Sequence, residues 1–190
     1  MTTLDDSTQQ IPDPSTVSMK PTAMRYGLIG GLALIVLSLI WNMTGMIDYT
    51  GQRSNMLPNV VNWGTIVAIL VLAFKKHRDE DLGGFIKFGR CVGLGAFLGL
   101  IMGVVSAAWA LIYFNVIDPD LLNNILSQME EKFVDQGMEE SQIEMAMSWT
   151  SKMMSPVGMA IFSVIGTVIT TTILSLIVGA VMKKNPPSSF

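Results

Sequence analysis

The chain has 190 residues, 50% of them hydrophobic and only 14% charged, with a formal net charge of −3. Its charges crowd between apolar runs instead of spreading along every helix, which is the distribution of a bilayer-spanning chain and excludes an ordinary soluble domain. The slight negative charge and the lack of an arginine-rich helix argue against nucleic acid as a partner. One cysteine, Cys91, and one histidine, His77, supply neither an intramolecular disulfide nor a zinc set.

Residues 1–23 are rich in Thr, Ser, Asp, Gln and Pro. With so little apolar surface to offset the entropy of ordering, a flexible tail is expected there. The apolar run behind Lys20 and Arg25 is too long for a signal-peptide core and lacks a small-residue cleavage site, so a cleaved leader is not expected. A first span over residues 26–46 holds 21 residues. At about 1.5 Å per residue this covers the ~30 Å hydrocarbon core. Gly27 and Gly31 lie four apart within it, and Asn42 and Thr44 sit near its far end.

A turn-rich loop then leads past Pro58 into a shorter second span, 58–74, with Asn59, Asn62 and Trp63 at its interface. The basic loop Lys75 to Arg90 follows and turns at Gly83 and Gly84. His77, set among Lys75, Lys76 and Arg78, reads as a solvated loop residue. From residue 91 to residue 117 there are 27 uncharged residues, the third span.

Asp118 and Pro119 read as an N-cap followed by the first helical residue. Leu121, Leu122, Ile125, Leu126, Met129 and Phe133 then recur at helical spacing as far as Gly137, an expected C-cap. A second amphipathic stretch opens at Glu139 and Glu140, carries Ile143, Ala146, Met147, Trp149 and Met153, and ends at Ser155. Residues 118–155 thus form a helical hairpin outside the bilayer. The fourth span, 156–182, contains no charge, and Lys183 and Lys184 close it before a short tail at 185–190.

Orientation follows from the distribution of Lys and Arg about the spans. Lys20, Arg25, Lys75, Lys76, Arg78, Lys87, Arg90, Lys183 and Lys184 fall on one side, against Arg53, Lys132 and Lys152 on the other. Both termini are therefore expected in the cytoplasm and the hairpin outside. Trp41, Trp63, Trp109 and Tyr113 fall toward the outer ends, as an aromatic belt would.

A basic loop ending in GGFIKFG, a glycine-rich third span, IDPDLL, the QGM-x-x-x-QIE helix and Ser155-Pro156 opening the last span occur in that order. Together they resemble the bacterial membrane family catalogued as domain of unknown function 4199, found mainly in the Bacteroidetes, over residues 24–183. The resemblance implies a four-helix inner-membrane protein and brings no catalytic residue with it.

Gly95, Gly99 and Gly103, with Ala107 a step beyond, form a small-residue ridge on the third span, and Gly89 and Gly93 form an adjoining one. Such a ridge lets a second backbone approach closely, either within the bundle or from a second copy. No Asp, Glu, Lys, Arg or His lies within any span, which lowers proton-relay and ion-coupled readings. A passive pore lined by Ser106, Ser163, Thr167, Thr170 and Thr171 is one alternative, although back-bonding to the helix accounts for the same hydroxyls.

Lys75, Lys76, Arg78, Lys87 and Arg90 read as topogenic charge or as contacts to lipid headgroups. Eight carboxylates of the hairpin read as a solvated face, and Met145, Met147, Met153 and Met154 as core filler in preference to a copper(I) set. No P-loop, nucleophile elbow or HExxH is present. The expected fold is an all-α integral membrane bundle of four transmembrane helices, in a domain at 24–184. The expected role is a non-enzymatic scaffold or accessory subunit of the inner membrane that needs no cofactor, contacts lipid, and packs with itself or another membrane protein. A small-solute transporter or channel subunit is the alternative.

Overall fold

A computed structural model of the protein describes residues 16–48 and 54–185. The flexible tail expected at the N-terminus falls mostly outside the described residues. Among the described residues six α-helices run in chain order: α1 Lys20–Met43, α2 Met56–Lys76, α3 Phe88–Ile112, α4 Leu121–Asp135, α5 Glu140–Met153 and α6 Pro156–Met182. Among the described residues there is no strand, only an isolated bridge that pairs Ile86 with Lys184. Helices α1, α2, α3 and α6 are long and apolar enough to cross a membrane, α2 together with the turn at its end and α3 with the turn that extends it.

The ends of these elements correct several expectations. Helix α1 begins at Lys20, inside the stretch expected to be flexible, with Pro21 in its first turn and Thr22 and Ala23 buried. Pro tolerates that position because its missing N–H would have no intrahelical partner there. Helix α4 opens at Leu121 with Asp120 at its cap position, and no side chain caps it. Asp118 and Pro119 therefore form a turn before the helix. Gly137, at φ 74°, follows α4 as the expected helix-ending glycine. Glu139 and Gln142 close a capping box at the start of α5. Helix α6 starts at Pro156 behind Ser155, whose Oγ accepts the Gly158 N–H at 3.1 Å.

The four long helices form a ring in which α1 packs on α2 and α3, and α6 packs on α2 and α3, with the α3–α6 contact the most extensive. Small residues set the closeness of these seams. A Cβ added at Gly103 would lie 2.9 Å from the Val164 Cα of α6, and one at Gly99 would lie 2.9 Å from the Thr171 Cβ. Gly95 meets Ser175 in the same way. On the other side of α3, Ile101 and Val105 fill the space above Gly27 and Gly31 of α1, at 2.7 and 2.8 Å from where their Cβ atoms would be. Cys91 is buried beneath Gly179.

The hydrophobic core is not centred in the bundle. Ala23, Ile69, Leu70, Ala73, Phe74, Leu82, Ile86, Leu94, Leu98, Met102 and Val178 form one cluster. Cys91 belongs to it as well, and so does Ile66, which reaches the other half; most of the cluster lies in the half that carries the basic loop. In the other half, toward the hairpin, α6 buries only Ala160. Burial is therefore densest toward the basic end.

Candidate functional site

Two polar constructions result, one at each end. At the basic end α2 runs into a π-helical turn, His77–Asp81, that folds His77 inward until it has no exposed surface. The expectation of a solvated histidine is thus overturned. His77 Nδ1 lies 2.7 Å from Asp81 Oδ2, and Arg90 Nε donates to His77 Nε2 at 3.0 Å. Because the guanidinium can only donate, Nε2 must be the accepting nitrogen and Nδ1 the one that carries the proton. The imidazole is therefore the neutral tautomer, set between a carboxylate and a guanidinium.

Thr22 Oγ1 adds a third strand to the cluster by donating to Asp81 Oδ2 at 2.9 Å. A further guanidinium nitrogen of Arg90 donates to the Val17 carbonyl. The group therefore ties the segment before α1, the start of α1, the end of α2 and the start of α3. Backbone bonds of 2.9 Å in both directions between Ile86 and Lys184 bring the C-terminal segment to the same end.

These contacts also redistribute the basic residues. Lys76 pairs with Glu80 at 2.6 Å and Arg78 with Asp79 at 2.7 Å, while Arg90 serves the histidine. Lys75 and Lys87 are the exposed members of the five. Of the glycines, Gly95, Gly99 and Gly103 face α6, whereas a side chain at Gly89 would enter open space and one at Gly93 would only graze Met19.

At the hairpin end residues of all four spans line an open cavity of about 370 Å3. Leu34, Ile35 and Ser38 come from α1, Asn59, Asn62, Trp63 and Ile66 from α2, Ser106 and Trp109 from α3, and Phe162, Ser163, Gly166, Thr167 and Thr170 from α6. No lining residue carries a formal charge. Trp109 Nε1 donates to Ser38 Oγ at 3.1 Å, and Trp41 Nε1 donates to Asn62 Oδ1 at 3.2 Å. Trp41, only 8% exposed, and Trp109 thus tie neighbouring helices together. Trp63 remains 55% exposed.

Four of the five hydroxyl residues suggested as a pore lining, Ser106, Ser163, Thr167 and Thr170, do converge here. Thr171 does not: it is buried against Gly99 and donates to the Thr167 carbonyl at 2.7 Å. Leu70, one turn along α2 from the lining residue Ile66, and Met102 and Leu98, one and two turns along α3 from the lining residue Ser106, are fully buried.

Sequence reasoning missed the histidine cluster, although the four-residue spacing of His77 and Asp81 on a helix was its one available signal. Among the described residues no group of three or more His, Cys, Asp or Glu side chains could hold a metal ion.

Fold and site together give an all-helical protein with four helices long and apolar enough to cross a membrane, an uncharged cavity at one end and a packed, ion-paired cluster at the other. The chain belongs to the family described as Protein of unknown function (DUF4199), whose model matches residues 25–184. No curated protein and no solved structure matches it.

Proposed function

We propose that the chain is a non-enzymatic, multi-pass protein of a bacterial inner membrane, an accessory or scaffold subunit whose outward hairpin is covered by a partner. Both termini are cytoplasmic in this reading. The join of the N-terminal segment, the basic loop and the C-terminal segment at one end supports it, because these segments carry most of the cationic residues.

One observation carries the interaction surface. Helix α5 buries none of its 14 residues, and Met145, Trp149 and Met153, spaced four apart on one stripe, are 68%, 69% and 47% exposed. An amphipathic helix keeps its apolar stripe dry by packing it on something. Since Gly95, Gly99 and Gly103 are occupied by α6 of the same chain, the hairpin is the stronger candidate for an intermolecular contact. Its eight carboxylates against Lys132 and Lys152 would repel a second copy, so the partner is another membrane component with a basic outer surface.

Single cysteines at Met145, Trp149 and Met153 in a Cys91→Ser background, crosslinked in native membranes, test this. The expected result is one heterologous species, identified by mass, captured from all three positions and not from a cysteine at exposed Glu131, with capture weakened by added salt. Equal capture at Glu131, or none at the stripe, would refute the reading.

A further inference from the structure

The cavity at the hairpin end has features that mere looseness of packing does not explain. Two of its hydroxyls, Ser38 and Ser163, donate to a carbonyl three residues earlier, at 2.8 and 3.1 Å, and Thr65, Thr171 and Thr172 outside the lining do the same four residues back, at 2.6 to 2.9 Å. That is how a hydroxyl in an apolar span normally satisfies itself. Ser106, Thr167 and Thr170 make no such bond among the described residues, and neither does the Asn59 amide. Asn62 accepts from Trp41 through Oδ1, which leaves its amide N–H groups directed elsewhere. These groups line the cavity with hydrogen-bonding capacity left over.

We propose that this cavity is a binding site for a neutral, hydroxyl-rich small molecule, a sugar or sugar alcohol, whether as a free solute or as the headgroup of a glycolipid in the adjoining leaflet. The absence of charge from the lining selects a neutral guest, since an ion would leave its hydration shell without a compensating partner. Serine and threonine hydroxyls both donate and accept, and the amides add donors and acceptors, which matches a guest whose own groups are hydroxyls.

Trp63, Trp109 and Phe162 supply broad apolar walls to the same space, suited to the C–H face of a sugar ring. The tryptophan bonds to Ser38 and Asn62 fix two polar lining groups before a guest arrives, which lowers the entropy lost on binding. A volume of about 370 Å3 falls in the range of small-molecule sites. The proposal does not depend on the hairpin having a partner, since the lining comes entirely from α1, α2, α3 and α6.

Gly166 makes the test clean. It lines the cavity, and a Cβ added there meets nothing within 4 Å. Leucine at this position adds four carbons beside the cavity, the first of them in open space. Gly64, equally unobstructed but outside the lining, is the control.

The full chain in nanodiscs is titrated with glucose and sorbitol, and separately assembled with a neutral glycosyl diacylglycerol, while tryptophan emission is recorded. Two of the four tryptophans line the cavity. The expected result is a saturable change with a neutral polyol, weakened at least tenfold in Gly166→Leu and unaltered in Gly64→Leu, and absent with choline or gluconate. Saturation by free sugar identifies a solute site, and a response only to the glycolipid identifies a headgroup site. The near-isosteric Thr170→Val, expected to weaken binding severalfold, provides a second reading should Gly166→Leu fail to fold. No saturable response to either form of polyol, binding undiminished in both variants, or equal binding of the charged compounds would overturn the proposal.

Discussion

Replacing Gly103 with alanine tests how the bundle is held together. The added methyl would stand 2.9 Å from the Val164 Cα and 3.1 Å from the Val164 carbonyl oxygen. Both are backbone atoms, so no rotamer change relieves the contact, and α3 and α6 must part by roughly 0.5 Å to reach ordinary van der Waals distance. A gap of that size forfeits about a quarter of each pair's dispersion attraction along the seam.

Overpacking of this kind costs about 1–3 kcal/mol. No helix-propensity gain offsets it, because a separated span in lipid must still bond its own backbone and stays helical. Gly64→Ala, where the methyl meets nothing within 4 Å, is expected to change stability by less than about 0.5 kcal/mol on the same reasoning. Titration with sodium dodecyl sulfate in mixed micelles, followed by circular dichroism and tryptophan emission, gives both values. If Gly103→Ala unfolds within about 0.5 kcal/mol of Gly64→Ala, the close-seam argument fails.

Two further substitutions probe the ends of the helices. His77→Ala removes the group that bridges Asp81 and Arg90 and is expected to cost about 1–3 kcal/mol. Hydrogen exchange should then quicken together in the segment before α1 and around Arg90 while α5 is unaffected, and unaltered protection at those segments would show that the cluster ties nothing. Ser155→Ala removes the acceptor of the Gly158 N–H at an expected cost of about 1 kcal/mol. It should speed amide exchange in the first turn of α6, and an unchanged rate there would mean that the serine is not the effective cap.

The division between what was legible and what was not follows the reach of each physical cause. The presence of four long apolar helices, the break at Ser155-Pro156 and the glycine that ends α4 depend on hydropathy and backbone geometry over a few residues, and these could be read along the chain, whereas the second span, expected to be short at 58–74, is longer, from Met56 to Asp81 with the turn at its end. The start of α1 could not: Thr22 and Ala23 have ordinary polar and small side chains, and they are helical and buried because another part of the fold covers them. Trp41 and Trp109 matched the pattern of an interfacial belt, yet bonds to Asn62 and Ser38 on neighbouring helices turn both inward. Composition could not distinguish these cases, since a tryptophan satisfies its N–H equally well at a headgroup or across a helix seam.

By itself the sequence determined the medium: uncharged runs of this length require a nonpolar solvent, and the basic segments between them require water. Only the tertiary structure decided which polar groups meet. His77 became the centre of a buried cluster when a π-helical turn brought it toward Arg90, thirteen residues away. The hydroxyls of α3 and α6 came to share a cavity with residues of α1 and α2 through the way the four helices pack. Hydropathy is a property of each residue in turn, whereas these meetings depend on how four helices lean on one another.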